Sequence, residues 1–82
     1  MKLFIGNKAA KELSKISDPL ASKIYKEIVK LKDNPYPVNY KKIVGEENYR
    51  IRIGVYRVIY SINKKSKEIF ILKIRHRRDV YR

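Results

Sequence analysis

No cysteine occurs in the 82 residues, and histidine occurs once. The first absence excludes disulfides, cysteine-ligated metal and thiol chemistry. The second excludes a histidine-rich zinc site. Only three glycines are present, with no glycine-rich phosphate loop among them. Acids are equally scarce: eight, scattered along the chain, with no close carboxylate cluster. That distribution argues against a two-metal nuclease, and no Ser-His-Asp or Cys-His arrangement is available either. Long apolar runs are missing too. The longest strictly aliphatic or phenylalanine run is Ile69-Phe70-Ile71-Leu72, far short of the roughly 20 residues of a membrane span. Met1–Ile5 passes directly into Gly6-Asn7-Lys8, without the apolar stretch of a secretory signal. No membrane partner and a cytoplasmic location are therefore expected.

What the chain does hold is positive charge: 21 lysines and arginines give a net +13. The length and the 44% hydrophobic content predict one folded domain over residues 1–82 rather than disorder. A chain this short buries only about 60–65% of its unfolded surface, and a compact body of like charge repels itself. A polyanionic partner is the natural complement. The charge is also unevenly placed. Residues 1–47 carry ten lysines, six acids and no arginine, whereas residues 48–82 carry four lysines, all seven arginines and two acids. Lysine is a solvated point charge, while the planar guanidinium grips phosphate bidentately and stacks on aromatic faces. The first half therefore reads as a solvated scaffold and the last 35 residues as a site.

Periodicity supplies the elements. Residues 2–5 read as a short strand. Asn7 can cap a first helix with Ala10, Leu13 and Ile16 inward. Asp18-Pro19 suits the start of a second helix, whose buried stripe is Leu20, Ala21, Ile24, Tyr25, Ile28 and Leu31. Asn34-Pro35-Tyr36-Pro37 ends it, and two helices joined so tightly should form an antiparallel hairpin. The period then changes to two. A short strand near Lys42–Val44 is followed by one around Tyr49, Ile51 and Ile53. Another carries Tyr56, Val58, Tyr60 and Ile62. A last strand sets Phe70, Leu72 and Ile74 inward against Ile71, Lys73 and Arg75. The expected fold class is α+β: an N-terminal strand, then an antiparallel helical hairpin packed on one face of a small antiparallel sheet. The other face is left open and basic.

Gly54-Val55 fits a two-residue type II′ turn with glycine first. The register then sets Ile53 opposite Tyr56, Ile51 opposite Val58 and Tyr49 opposite Tyr60, with Arg52 facing Arg57 on the outer side. Like charges facing across strands are destabilising. The pair either awaits an anion or splays into solvent at small cost. By the same parity Arg50, Lys73, Arg75 and Arg77 share the outer face, and several spaced cations suit a phosphate backbone. The C-terminal Arg75-His76-Arg77-Arg78-Asp79-Val80-Tyr81-Arg82 adds titratable groups. RNA carries its own nucleophile, the 2′-hydroxyl. A protein need only align it, remove a proton and stabilise the transition-state charge. Arginines can perform the last task, and Tyr81 or His76 the proton transfer.

Asn34-Pro35 through Gly45, Tyr49-Arg50-Ile51-Arg52-Ile53-Gly54 running into Tyr56-Arg57-Val58-Ile59-Tyr60, and His76-Arg77-Arg78-Asp79-Val80-Tyr81 together resemble the RelE branch of the RelE/ParE toxin superfamily. The resemblance covers nearly the whole chain. It implies the toxin of a type II toxin–antitoxin system. Such a toxin is a ribosome-dependent endoribonuclease (an mRNA interferase) that cuts messenger RNA in the A site without metal or other cofactor. It also implies a cognate RelB-like antitoxin, with a toxin–antitoxin heterotetramer as the assembly. Residue by residue, Arg57 and Arg77 match the family's phosphate-binding arginines and Tyr81 its C-terminal tyrosine. Arg50 and Arg52 stand where the best-studied branch has lysines. They can bind phosphate, as can Lys73, Arg75 and Arg78, but an arginine does not exchange protons at neutral pH. The proton work then falls to Tyr81, whose tyrosinate the surrounding cations favour, secondarily to His76, or to the substrate and solvent. Parity points His76 toward the helices, where it also reads as a structural residue. The chain stops at Arg82, so the C-terminal helix of some relatives is expected to be absent. Two alternatives remain at this stage: a ParE-like non-nuclease toxin that binds a DNA topoisomerase, and a non-enzymatic basic module that binds RNA or ribosomes.

Overall fold

The structure, a computed structural model, describes residues 1–78. Tyr81 and the expectation about a terminal helix lie outside the described residues. The first strand, β1 (Lys2–Ile5), passes through Gly6 into helix α1 (Asn7–Ser14). Asn7 is thus the first helical residue and Gly6, not Asn7, is the N-cap. The reason is proximity: Gly6 N–H donates to the Ile71 carbonyl at 2.9 Å, and a Cβ on Gly6 would stand 3.0 Å from that oxygen. Ala9 rather than Ala10 is the buried alanine of α1, while Leu13 and Ile16 pack against the core as expected.

Helix α2 (Leu20–Lys30) starts after Pro19. The Asp18 carboxylate accepts the Ser22 N–H at 3.0 Å and the Ser22 hydroxyl at 2.6 Å, satisfying an amide that the helix itself leaves open. These two bonds hold the Asp18 carboxyl below its ordinary pKa. Ile24, Ile28 and Leu31 are fully buried. Tyr25, expected inside, is 50% exposed, because it lies at the flank of the stripe beside the edge strand β1. After the helix, the Asn34 side chain accepts the Tyr36 N–H at 3.1 Å, a local bond that turns the chain.

Four more strands follow: β2 (Tyr40–Lys42), β3 (Tyr49–Ile53), β4 (Tyr56–Asn63) and β5 (Glu68–His76). β2 thus lies two residues earlier than periodicity placed it, and Val44 falls in the following turn. The sheet order is β1-β5-β4-β3-β2. β2 to β5 are antiparallel neighbours, but β1 pairs parallel with β5. The sheet is mixed, where an antiparallel one was expected. Ala9, Ile24, Ile28 and Leu31 of the helical layer meet Ile51, Val58, Tyr60, Ile69, Ile71 and Ile74 in one core. Each fully buried isoleucine there contributes roughly 1.5–3 kcal/mol.

The last strand departs from simple alternation. Tyr60 pairs with Ile71 but Ile59 pairs with Lys73, so Leu72 is the extra residue of a β-bulge. Inward positions therefore run Ile69, Ile71 and, after the bulge, Ile74. Phe70, expected in the core, lies on the outer face and stacks on Phe4 with ring centroids 5.3 Å apart. Beyond the bulge the expected parity of Lys73 and Arg75 holds.

Candidate nucleic-acid interface

The β3–β4 hairpin has the register its turn demands: Arg52 lies opposite Arg57, and Ile51, Ile53 and Tyr49 face Val58, Tyr56 and Tyr60. Gly54 has φ 60 and Val55 stays outside the positive region, which distinguishes a II′ turn from I′. Across β4, Arg57 also lies opposite Arg75. The outer face thus carries a row of three arginines on adjacent strands, Arg52, Arg57 and Arg75. A second row runs Lys41, Arg50, Ile59 and Lys73. Lys41 was not among the sequence candidates. The signal that could have found it was β2 itself, once placed two residues earlier.

Arg77 joins the first row by a different route. Its backbone N–H donates to the Val55 carbonyl at 2.6 Å, pinning the end of β5 against the hairpin turn. The result is a cleft of about 220 Å³ lined by Arg52, Gly54, Val55, Tyr56, Arg57 and Arg77. Among the described residues three guanidinium groups and no carboxylate line it, so their field favours an anion, and the planar forks suit phosphate oxygens. Beside the turn, the Asn39 amide donates to the Arg52 carbonyl at 2.9 Å, bracing the strand from the loop before β2.

The remaining candidates are placed differently. Arg75 Nε lies 3.9 Å from the Glu12 carboxylate of α1, whose other oxygen accepts the Ile74 N–H at 3.0 Å. β1 pairs with β5 only as far as Ile71, so this carboxylate takes the place of a strand partner farther along β5. Sequence reasoning missed Glu12, and its spacing carries no signal, because the contact spans 62 positions. His76 lies on the face opposite the arginine row, pairs with Tyr56 across the strands and meets its ring edge-on at 5.2 Å. His76 Nδ1 accepts the Arg78 N–H at 3.1 Å, so the structure does not bring His76 to the cleft. Arg78 is exposed just beyond β5. Among the described residues no three metal-ligating side chains come together.

On the inner side, Tyr60 is fully buried and its hydroxyl donates to the Pro35 carbonyl at 2.7 Å. Burial, reinforced by Tyr36, Tyr40 and Tyr49 around it, pushes the Tyr60 phenol well above its ordinary value of 10.0. That phenol is an anchor for the 34–37 loop and far too weak an acid for proton transfer near neutrality.

This architecture, with two helices behind a five-stranded sheet, is that of solved RelE toxins. The toxin of an archaeal RelE–RelB complex from Pyrococcus horikoshii is similar at 32% identity, with 93% of each chain covered and a TM-score of 0.83. The RelBE2 complex of Mycobacterium tuberculosis (22% identity, 93% of this chain and 96% of that one, TM-score 0.82) and the intact RelBE complex of E. coli (22%, 89% and 92%, 0.75) share the fold. A search of curated proteins finds no match. The chain belongs to the RelE/ParE superfamily of type II toxin–antitoxin toxins: residues 3–81 match the family described as the ParE toxin of the type II toxin–antitoxin system parDE.

Proposed function

We propose that the chain is the RelE-type member of a toxin–antitoxin pair and acts as an endoribonuclease on ribosome-bound messenger RNA in the cytoplasm. The observation that carries this reading is the convergence of Arg52, Arg57 and Arg77 on one cleft on the open sheet face. In the proposed reaction the substrate's 2′-hydroxyl attacks the adjacent phosphate. A base removes the 2′-proton, a cyclic phosphate forms, and the expelled 5′-oxygen takes up a proton. Arg57 and Arg77 bind the phosphate and stabilise the charge that grows on its oxygens. Arg52, Arg50, Lys73, Arg75 and Arg78 hold the surrounding RNA, with Arg75 doing so alongside Glu12. Tyr81 is the proposed proton acceptor. His76, packed on Tyr56, serves structure. The proposed partner is a RelB-like antitoxin, as in the complexes solved for relatives, assembling with the toxin as a heterotetramer. By binding the folded state, such a partner also stabilises it by mass action.

The match to a ParE family favours a second reading, a toxin that binds a DNA topoisomerase without cutting RNA. One experiment separates the two. Purified protein is added to programmed ribosomes and mRNA ends are mapped by primer extension. Cuts at the A-site codon that disappear in Arg77→Ala are expected. Intact mRNA together with topoisomerase-linked DNA breaks would transfer the assignment to the second reading. Intact mRNA and DNA with only salt-sensitive binding would leave a basic RNA-binding module.

A further inference from the structure

The outer face is not uniformly cationic. Ile59 stands in the middle of the second row, half-buried, between Arg50 on β3 and Lys73 on β5. Beside it opens a second hollow of about 370 Å³, separate from the arginine cleft. Its apolar wall is Ile59 with Ile43 and Val44 from the turn after β2. Lys41, Lys42 and Arg50 also line it, and Glu46 contributes one carboxylate. Arg57 lines both hollows. Along β4, Ile59 stands two residues beyond the shared Arg57, about 6.7 Å at ordinary strand rise.

We propose that this hollow is a nucleobase subsite. It takes the base of the nucleotide next to the phosphate held by Arg57 and Arg77, and it selects for bases that offer an amino group. The inference rests on the RNA-cleaving reading above and adds a specificity determinant to it. A nucleobase is flat, apolar on its faces, polar on its rim and tethered to an anionic backbone. The hollow complements each property in turn: aliphatic side chains for the face, Lys41 and Arg50 for the backbone, and Glu46 for the rim. A bare phosphate would have no use for the aliphatic wall. A carboxylate accepts hydrogen bonds and donates none. It therefore favours adenine, cytosine and guanine, which carry exocyclic amino groups, over uracil, which presents carbonyls there.

Two measurements test this. In the first, the methyl signals of the full-length protein are followed by NMR as AMP, CMP, GMP, UMP, ribose 5-phosphate or inorganic phosphate is added. The Ile43, Val44 and Ile59 methyls are expected to shift with the three amino-bearing nucleotides, and with UMP only at about tenfold higher concentration. Methyls that stay still with every nucleotide, or move equally with ribose 5-phosphate, overturn the subsite. In the second, cut sites on programmed ribosomes are compared for wild type and Glu46→Gln. Glutamine keeps the shape but can donate to uracil, so uracil should become acceptable at one codon position. Unchanged base preference in an active Glu46→Gln enzyme sinks the subsite alone. Absence of cleavage by wild type sinks the nuclease reading, and the NMR titration still reads the hollow.

Discussion

The backbone N–H of Arg77 donates to the carbonyl of Val55 at 2.6 Å, and this one bond brings the end of β5 to the tip of the β3–β4 hairpin. It sets Arg77 beside Arg52 and Arg57 in one cleft. An anion bound there removes mutual repulsion in the folded state only. Phosphate should therefore raise the melting temperature, by an amount equivalent to roughly 2.7 kcal/mol at about a hundred times its dissociation constant. Thermal scans at constant ionic strength check this. The increment should shrink in Arg77→Ala and in Arg52→Ala. Equal phosphate stabilisation in both variants would place the anion elsewhere.

Tyr81→Phe isolates proton transfer, because it removes the phenolic proton site and keeps the ring. Single-turnover cleavage should fall by about 10²- to 10⁴-fold, the usual range for a general acid or base. Binding to ribosomes, measured by co-sedimentation, should change little. Undiminished cleavage would remove Tyr81 from the reaction.

Gly6→Ala tests the junction between β1 and α1. The backbone there has φ −64, which alanine adopts freely, so any cost is steric. The new methyl would stand 3.0 Å from the Ile71 carbonyl, which cannot retreat without lengthening its bond from the residue 6 amide. A loss of about 1 kcal/mol is expected, read as a lower urea midpoint with an unchanged m-value.

The raised pKa of Tyr60 makes stability fall in alkali. The buried phenol holds its proton beyond the ordinary value of 10.0, so the folded state binds more protons than the unfolded one above that pH. Its contribution is complete below pH 10 and is lost as pH rises through the folded-state pKa. Melting temperatures measured from pH 8 upward should decline beyond about pH 10. In Tyr60→Phe the decline should be shallower, starting from a midpoint lowered by the lost Pro35 bond, about 1 kcal/mol. Parallel curves for the two proteins would exclude Tyr60 as the cause.

Alternation and turn chemistry act between near neighbours, and what they dictate was legible in the sequence by itself. Both helices, the β3–β4 register through Gly54-Val55 and the facing of Arg52 with Arg57 follow from local periods of 3.6 and 2 and from one glycine. The concentration of arginine in the last 35 residues was equally legible, and the three arginines that line the cleft are among them. The tertiary structure decided whatever depends on a distant neighbour. A strand's own pattern does not say which strand lies beside it, so the parallel seat of β1 on β5 was hidden. The bulge at Leu72 reversed the parity of Phe70, because a single added residue turns every preceding side chain to the other face. Glu12 reached Ile74 and Arg75 only after α1 had docked on the uncovered edge of β5. The arginine cleft likewise exists only because Val55 and Arg77 meet. Hydrophobic patterning placed the arginines on one face, but long-range backbone bonds set which of them share a phosphate-sized space.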